Sequence, residues 1–110
     1  MTDNPNAPNK DGKTPIYWAA FNGHTEIVKI LAPLTDNPNA PDKWEKTPIF
    51  WATYHGNSEI VKILVPLTDD PNAPNKNGKT PIYFAALNKH TEIIKILTVM
   101  TKNPNASHRN

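Results

Sequence analysis

Histidines and carboxylates are the side chains in this sequence that could ligate a metal or move a proton. The histidines are His24, His55, His90 and His108. No pair of them has metal-ligand spacing on one helix face. His24 and His90 each precede a Thr-Glu-Ile segment, where a structural role at a helix start is expected. Glu26, Glu59 and Glu92 recur with Lys29, Lys62 and Lys95, the pattern of a solvated charged face. The chain has no cysteine, which excludes disulfides, zinc ribbons and thiol nucleophiles. It has no glycine-rich phosphate loop and no nucleophile elbow. The expectation is a protein that is not an enzyme and needs no cofactor and no metal.

The elements that carry these residues repeat. Thr-Pro occurs at 14–15, 47–48 and 80–81, so the period is 33 residues. Equal periods in this range mark a stack of modules. One domain over 1–110 is expected, with repeats at 4–36, 37–69 and 70–102 and a partial fourth finger at 103–106. Thr14 suits an N-cap, because its hydroxyl can accept from first-turn amides. Pro15 suits the first helical position, where its missing N–H costs nothing. Ile16, Ala19 and Ala20 then share one face of a short first helix, and Gly23 ends it. A second helix, Thr25-Glu-Ile-Val-Lys-Ile-Leu31, carries Ile27, Ile30 and Leu31 as its apolar stripe. Pro33 and Pro66 should stop it early. The following run of Asn, Pro, Asp and Gly is a finger of turns.

A turn finger and a helix pair at this period resemble the ankyrin repeat. The segments GKTPIYWAAFNGHTEIVKIL, EKTPIFWATYHGNSEIVKIL and GKTPIYFAALNKHTEIIKIL carry the resemblance. It implies an all-α repeat solenoid of helix-turn-helix units with extended β-turn fingers. It also implies that fingers and first helices line a concave face that contacts protein partners. Three departures stand out. Tyr17, Phe50 and Tyr83 replace the family's usual histidine, so any hydrogen bonds it makes between repeats are lost at Phe50 and in doubt at the tyrosines. Glu45 stands where Gly12 and Gly78 stand in the sister copies, and Lys89 replaces Gly23 and Gly56. Both substitutions cost stability if the positions need positive φ.

The three copies differ where the resemblance places the concave face. The finger tips read Asp11-Gly12, Trp44-Glu45 and Asn77-Gly78, and the first helices end Phe21-Asn22, Tyr54-His55 and Leu87-Asn88. All nine aromatics lie in a finger or a first helix. With Ile16, Ala19 and Ala20 already forming the buried face, Phe21, Tyr54 and Leu87 should point outward. Large aromatics on an open surface are the material of binding hot spots. The expected partner-binding residues are Trp44, Glu45, Phe21, Tyr54, His55, Trp18, Trp51 and Leu87, rimmed by Lys43 and Lys46. Lys10, Lys43 and Lys76 form one basic ladder and Lys13, Lys46 and Lys79 another, which would steer an acidic partner.

The expected partner is therefore another protein with an acidic rim. Net charge is only +2, and the ladders contain no arginine and are interrupted by acids, so nucleic acid is not expected. No apolar run is long enough to span a membrane. A competing expectation is a self-associating structural array, because solenoid ends normally need polar caps and the outer copies are nearly standard repeats. Near-identity of the copies outside the contact positions resembles an engineered or consensus-style binder. For a natural chain the absence of cysteine fits a cytoplasmic location.

Overall fold

The computed structural model describes residues 4–102, with side chains described as far as Val99. The expected partial finger at 103–106, and His108, lie outside the described residues. Six helices follow in order: α1 (Pro15–Phe21), α2 (Thr25–Leu31), α3 (Pro48–His55), α4 (Ser58–Leu64), α5 (Pro81–Leu87) and α6 (Thr91–Lys102). No strand forms among the described residues.

Each first helix starts as its sequence dictates. Thr14, Thr47 and Thr80 are extended N-caps whose hydroxyls accept from Tyr17, Phe50 and Tyr83 amides, and proline opens each first turn. The second helices α2 and α4 stop at Leu31 and Leu64 and tighten into 3-10 turns over Ala32–Leu34 and Val65–Leu67, at Pro33 and Pro66. The third copy has Val99 at that position, and α6 runs unbroken for 12 residues. Proline would have removed an amide donor there and clashed with the preceding turn.

The helices form two rows, α1–α3–α5 and α2–α4–α6, with each pair packed against itself and against the next. Ile16, Ile49, Ala20, Val28, Ile60, Val61, Leu64, Ile93 and Leu97 fill the space between them. The stripe expected on α2 is corrected here. Val28 is its buried residue, while Ile27 is 46% and Ile30 63% exposed. Ile60 and Ile93, the equivalents of Ile27, are fully enclosed, and Ile63 and Ile96, the equivalents of Ile30, are half-buried, because a preceding repeat covers them. Ile27 and Ile30 face the side where the first repeat has no predecessor within 4–102.

Each finger closes a turn with one side chain. Asn9 Oδ1 accepts from the Asp11 and Lys13 amides at 2.9 and 3.0 Å, and Gly12 N–H donates to Asn9 C=O at 2.9 Å. Asp42 and Asn75 repeat this arrangement. The turn requires a left-handed residue next. Gly12 and Gly78 have φ of 85° and 79°, and Glu45 adopts 65° in the same place. Lys89, at 60°, likewise takes the conformation of Gly23 and Gly56. Both non-glycine residues therefore carry the strain that their registers suggested, about 1 kcal/mol each.

Candidate functional site

The expected contact residues converge on the face made by fingers and first helices. Trp44, at the tip of the second finger, is 49% exposed. Tyr54 is 43% and Leu87 62% exposed, so both point outward as their register requires. Trp18 and His55 are also exposed, whereas Phe21 and Trp51 are half-buried. Phe21 meets Trp51 edge-on at 4.8 Å and His55 at 5.6 Å. Trp51 meets Tyr54 at 5.7 Å and stacks on His55 at 5.6 Å. One continuous aromatic surface thus runs from Trp18 through Phe21 and Trp51 to Tyr54. Its rings support one another, so little side-chain ordering remains for a binding event. Glu45 is exposed at the second finger tip beside Trp44.

The basic ladders are more engaged than a solvated edge. Lys43 pairs with Asp11 at 3.1 Å and lies over Trp44 at 4.8 Å. Lys46 lies over Phe50 at 5.4 Å, Lys79 over Tyr83 at 5.0 Å and Lys13 over Trp18 at 5.0 Å. These lysines place their charge beside the rings of the same face. On the back of the stack, Glu26–Lys29 and Glu59–Lys62 pair at 3.3 and 3.7 Å among exposed side chains. Pairs of that kind contribute at most ~1 kcal/mol.

A buried polar chain lies beneath the aromatic surface. Trp51 Nε1–H donates to the Tyr17 hydroxyl at 2.7 Å, and that hydroxyl donates to Asp42 Oδ2, also at 2.7 Å. Asp42 is buried, and its other oxygen holds the finger turn. Burial, and then the bond to Asp42, push the Tyr17 hydroxyl above the usual phenol range; the bond from Trp51 pulls the other way. The hydrogen bonding put in doubt by the loss of histidine is therefore rebuilt at this junction. In the sequence alone, Asp42 is one of the acids that interrupt the lysine ladders, and nothing local marks it as a hydrogen-bond partner. The missed signal was joint change one repeat later, where Tyr17, Asp42 and Trp51 become Phe50, Asn75 and Phe84.

That second junction differs on its finger side. Lys43 N–H donates to Asp11 C=O at 2.9 Å, tying the first two finger tips together. No such bond joins Trp44 and Lys76 among the described residues. A cleft of about 340 Å³ opens between the second and third fingers, lined by Glu45, Phe50, Asp70, Asn75, Lys79 and several prolines. At the same junction, His90 Nε2 lies 3.1 Å from Tyr54 C=O, and Phe50 meets Phe84 edge-on at 4.9 Å. His90 thus has a structural role, as expected. Among the described residues no group of His, Asp and Glu is arranged to hold a metal, and no helix is long and apolar enough to cross a membrane.

Stacked helix pairs with turn fingers, 33 residues apart, define a helical repeat solenoid. The family model for ankyrin repeats in three copies matches residues 2–75 and 33–108, and the chain belongs to that family. No curated protein matched it. Ankyrin repeats are generally protein–protein interaction modules, and the family is typically non-enzymatic.

Proposed function

We propose that this protein is a non-catalytic module that takes a protein partner on the finger-and-first-helix face. The continuous aromatic surface from Trp18 to Tyr54, flanked by half-exposed Trp44, is the observation that carries this reading. Exposed contiguous apolar surface of this kind marks contact sites. Trp44, Phe21 and Tyr54 are the anchors, with Trp18, Trp51, His55 and Leu87 around them. Lys43, Lys46 and Glu45 form the rim, and the held lysines favour a partner with acidic residues at its edge. The test is capture of one partner by the parent chain, Trp44→Ala, Tyr54→Ala and the back-face control Lys29→Ala. The face variants should each weaken binding by roughly 2 kcal/mol, a hot-spot loss, and the control should bind as the parent does. Equal binding by all four overturns the proposal.

A second reading rests on Ile27 and Ile30. The surface that Ile27 exposes is the one that Ile60 and Ile93 bury against a neighbouring repeat, and Ile30 is more exposed than its half-buried equivalents Ile63 and Ile96. A second copy could cover it by extending the stack, a heterologous contact that propagates. Light scattering over a concentration series decides: mass that grows with concentration, and is abolished by Ile30→Glu, supports assembly. A strict monomer at every concentration removes it.

A further inference from the structure

Lys13 sits in a corner built from two repeats. Its Nζ lies 5.0 Å from the Trp18 ring, 5.2 Å from Trp44 and 5.7 Å from Tyr17. All three distances fall within cation–π range. Tyr17 and Trp18 stand at 75° to one another with centroids 6.0 Å apart, making two walls, and Trp44 reaches across from the second finger as the third. The Tyr17 hydroxyl donates to the Asp42 carboxylate, which fixes that ring and enriches its face in electron density.

The corner belongs to this junction alone among the described repeats. Lys46 lies over Phe50 and Lys79 over Tyr83, one ring each. The third finger carries Asn77 where the second carries Trp44. Lys13 makes no ion pair and no side-chain hydrogen bond among the described residues; ring faces hold its ammonium. Lys43 also lies over Trp44, but Asp11 restrains it. The resident cation is thus a primary ammonium, strongly hydrated and weakly tethered. An N-methylated ammonium sheds water at lower cost and presents methyl groups to the same faces.

We propose that the Tyr17–Trp18–Trp44 corner is a binding site for N-methylated ammonium groups, with Lys13 as its displaceable internal occupant. The corner shares Trp18 and Trp44 with the proposed partner-binding face, but the inference is carried by the rings around Lys13 and stands or falls by its own test. Its ligand class is a quaternary or methylated amine, either free or borne on a partner's lysine side chain.

Tetramethylammonium chloride is titrated into the parent chain, Lys13→Ala and Lys13→Ala/Trp44→Ala, against matched sodium chloride, while indole N–H resonances are followed. Saturable shifts at Trp18 and Trp44 are expected in the parent. With the internal competitor removed, Lys13→Ala should bind about tenfold more tightly, the scale of one desolvated cation–π contact. The double variant should lose the response. Shifts reproduced by sodium chloride, or undiminished without Trp44, overturn the proposal. An acetylated trimethyllysine amide forms a second arm: binding tighter than tetramethylammonium identifies a protein-borne group, and equal binding a free amine. A readout on the parent chain guards against misfolded variants. After reductive methylation with labelled formaldehyde, the Lys13 methyl resonance should lie upfield of those of Lys10 and Lys76. Tetramethylammonium should return it toward them, and a Lys13 resonance coincident with theirs from the outset overturns the proposal.

Discussion

Between the first and second repeats, Tyr17, Asp42 and Trp51 form a buried hydrogen-bonded chain, and the two finger tips share a backbone bond and an ion pair. Between the second and third repeats, Phe50, Asn75 and Phe84 occupy the same positions, and a cleft of about 340 Å³ separates the fingers. The helix rows continue through both junctions. The apolar rows therefore build the stack without help from the polar chain. That chain closes the fingers, and Tyr17, Asp42 and Trp51 change together because a hydroxyl without its acceptor would be buried at a loss.

The comparison can be broken most forcefully at the turn residue. Asp42→Ala removes the acceptor for Tyr17 and for two finger amides, and should destabilise by about 3 kcal/mol in urea titration. Asn75→Ala removes only turn bonds and should cost about 1 kcal/mol. Equal losses at the two sites would deny any difference between the junctions.

Tyr17→Phe should cost about 1.5 kcal/mol, because Asp42 Oδ2 and the Trp51 N–H lose their partner. The reverse transplant sharpens the point. Phe50→Tyr, Asn75→Asp and Phe84→Trp together should be more stable than the sum of the single changes predicts, the signature of a coupled set. Additive effects would show that no chain had formed. The same phenol sets a pH dependence. Its pKa is raised in the folded state, so above pH ~10, the ordinary phenol value, the unfolded chain releases the proton first and stability falls. The Tyr17→Phe variant should lose that part of the decline, seen as a shallower alkaline slope in thermal melts.

Thr53 gives a smaller effect at the second junction. Its position faces the following repeat, since Ala20 is buried there and Ala86 is exposed in the last copy. The Thr53 hydroxyl is buried and has no hydrogen-bond partner among the described residues. Thr53→Ala, the residue of both sister copies, should raise stability by about 1 kcal/mol. No gain in the denaturation midpoint would mean that the hydroxyl is satisfied in solution. The smallest shift is expected at the finger tip, where Glu45→Gly relieves a left-handed residue and should add somewhat less than ~1 kcal/mol. A loss there would show that the Glu45 side chain contributes more than its backbone costs.

Much of this architecture was legible in the sequence. Register fixed the helix starts at Thr14, Thr47 and Thr80, the proline stops, and the positive φ of Glu45 and Lys89, because caps, proline and glycine act on their own neighbourhood. The outward direction of Tyr54 and Leu87 followed from the positions already taken by the buried face. Exposure of Ile27 and Ile30 did not, since periodicity reports which face is apolar and not whether a neighbour covers it. The role of Asp42 also escaped. Its partner Tyr17 lies in the previous repeat, and an Asn-to-Asp change looks local until it is aligned with Tyr17 and Trp51. The half-burial of Trp51 and Phe21 depends on the angles between rings, which spacing does not encode.

Repeat stacks come apart link by link rather than all at once. Here the order is written into the finger tips. Among the described residues the third finger has no backbone tie to the second, whereas the second is tied to the first through Asp11 and Lys43. Amide exchange at Gly78 should accordingly precede that at Glu45. Fraying would then begin on the side of the cleft and destroy it first. The corner around Lys13 would outlast it, so a molecule that has already shed its last finger still holds an ammonium against Trp18 and Trp44.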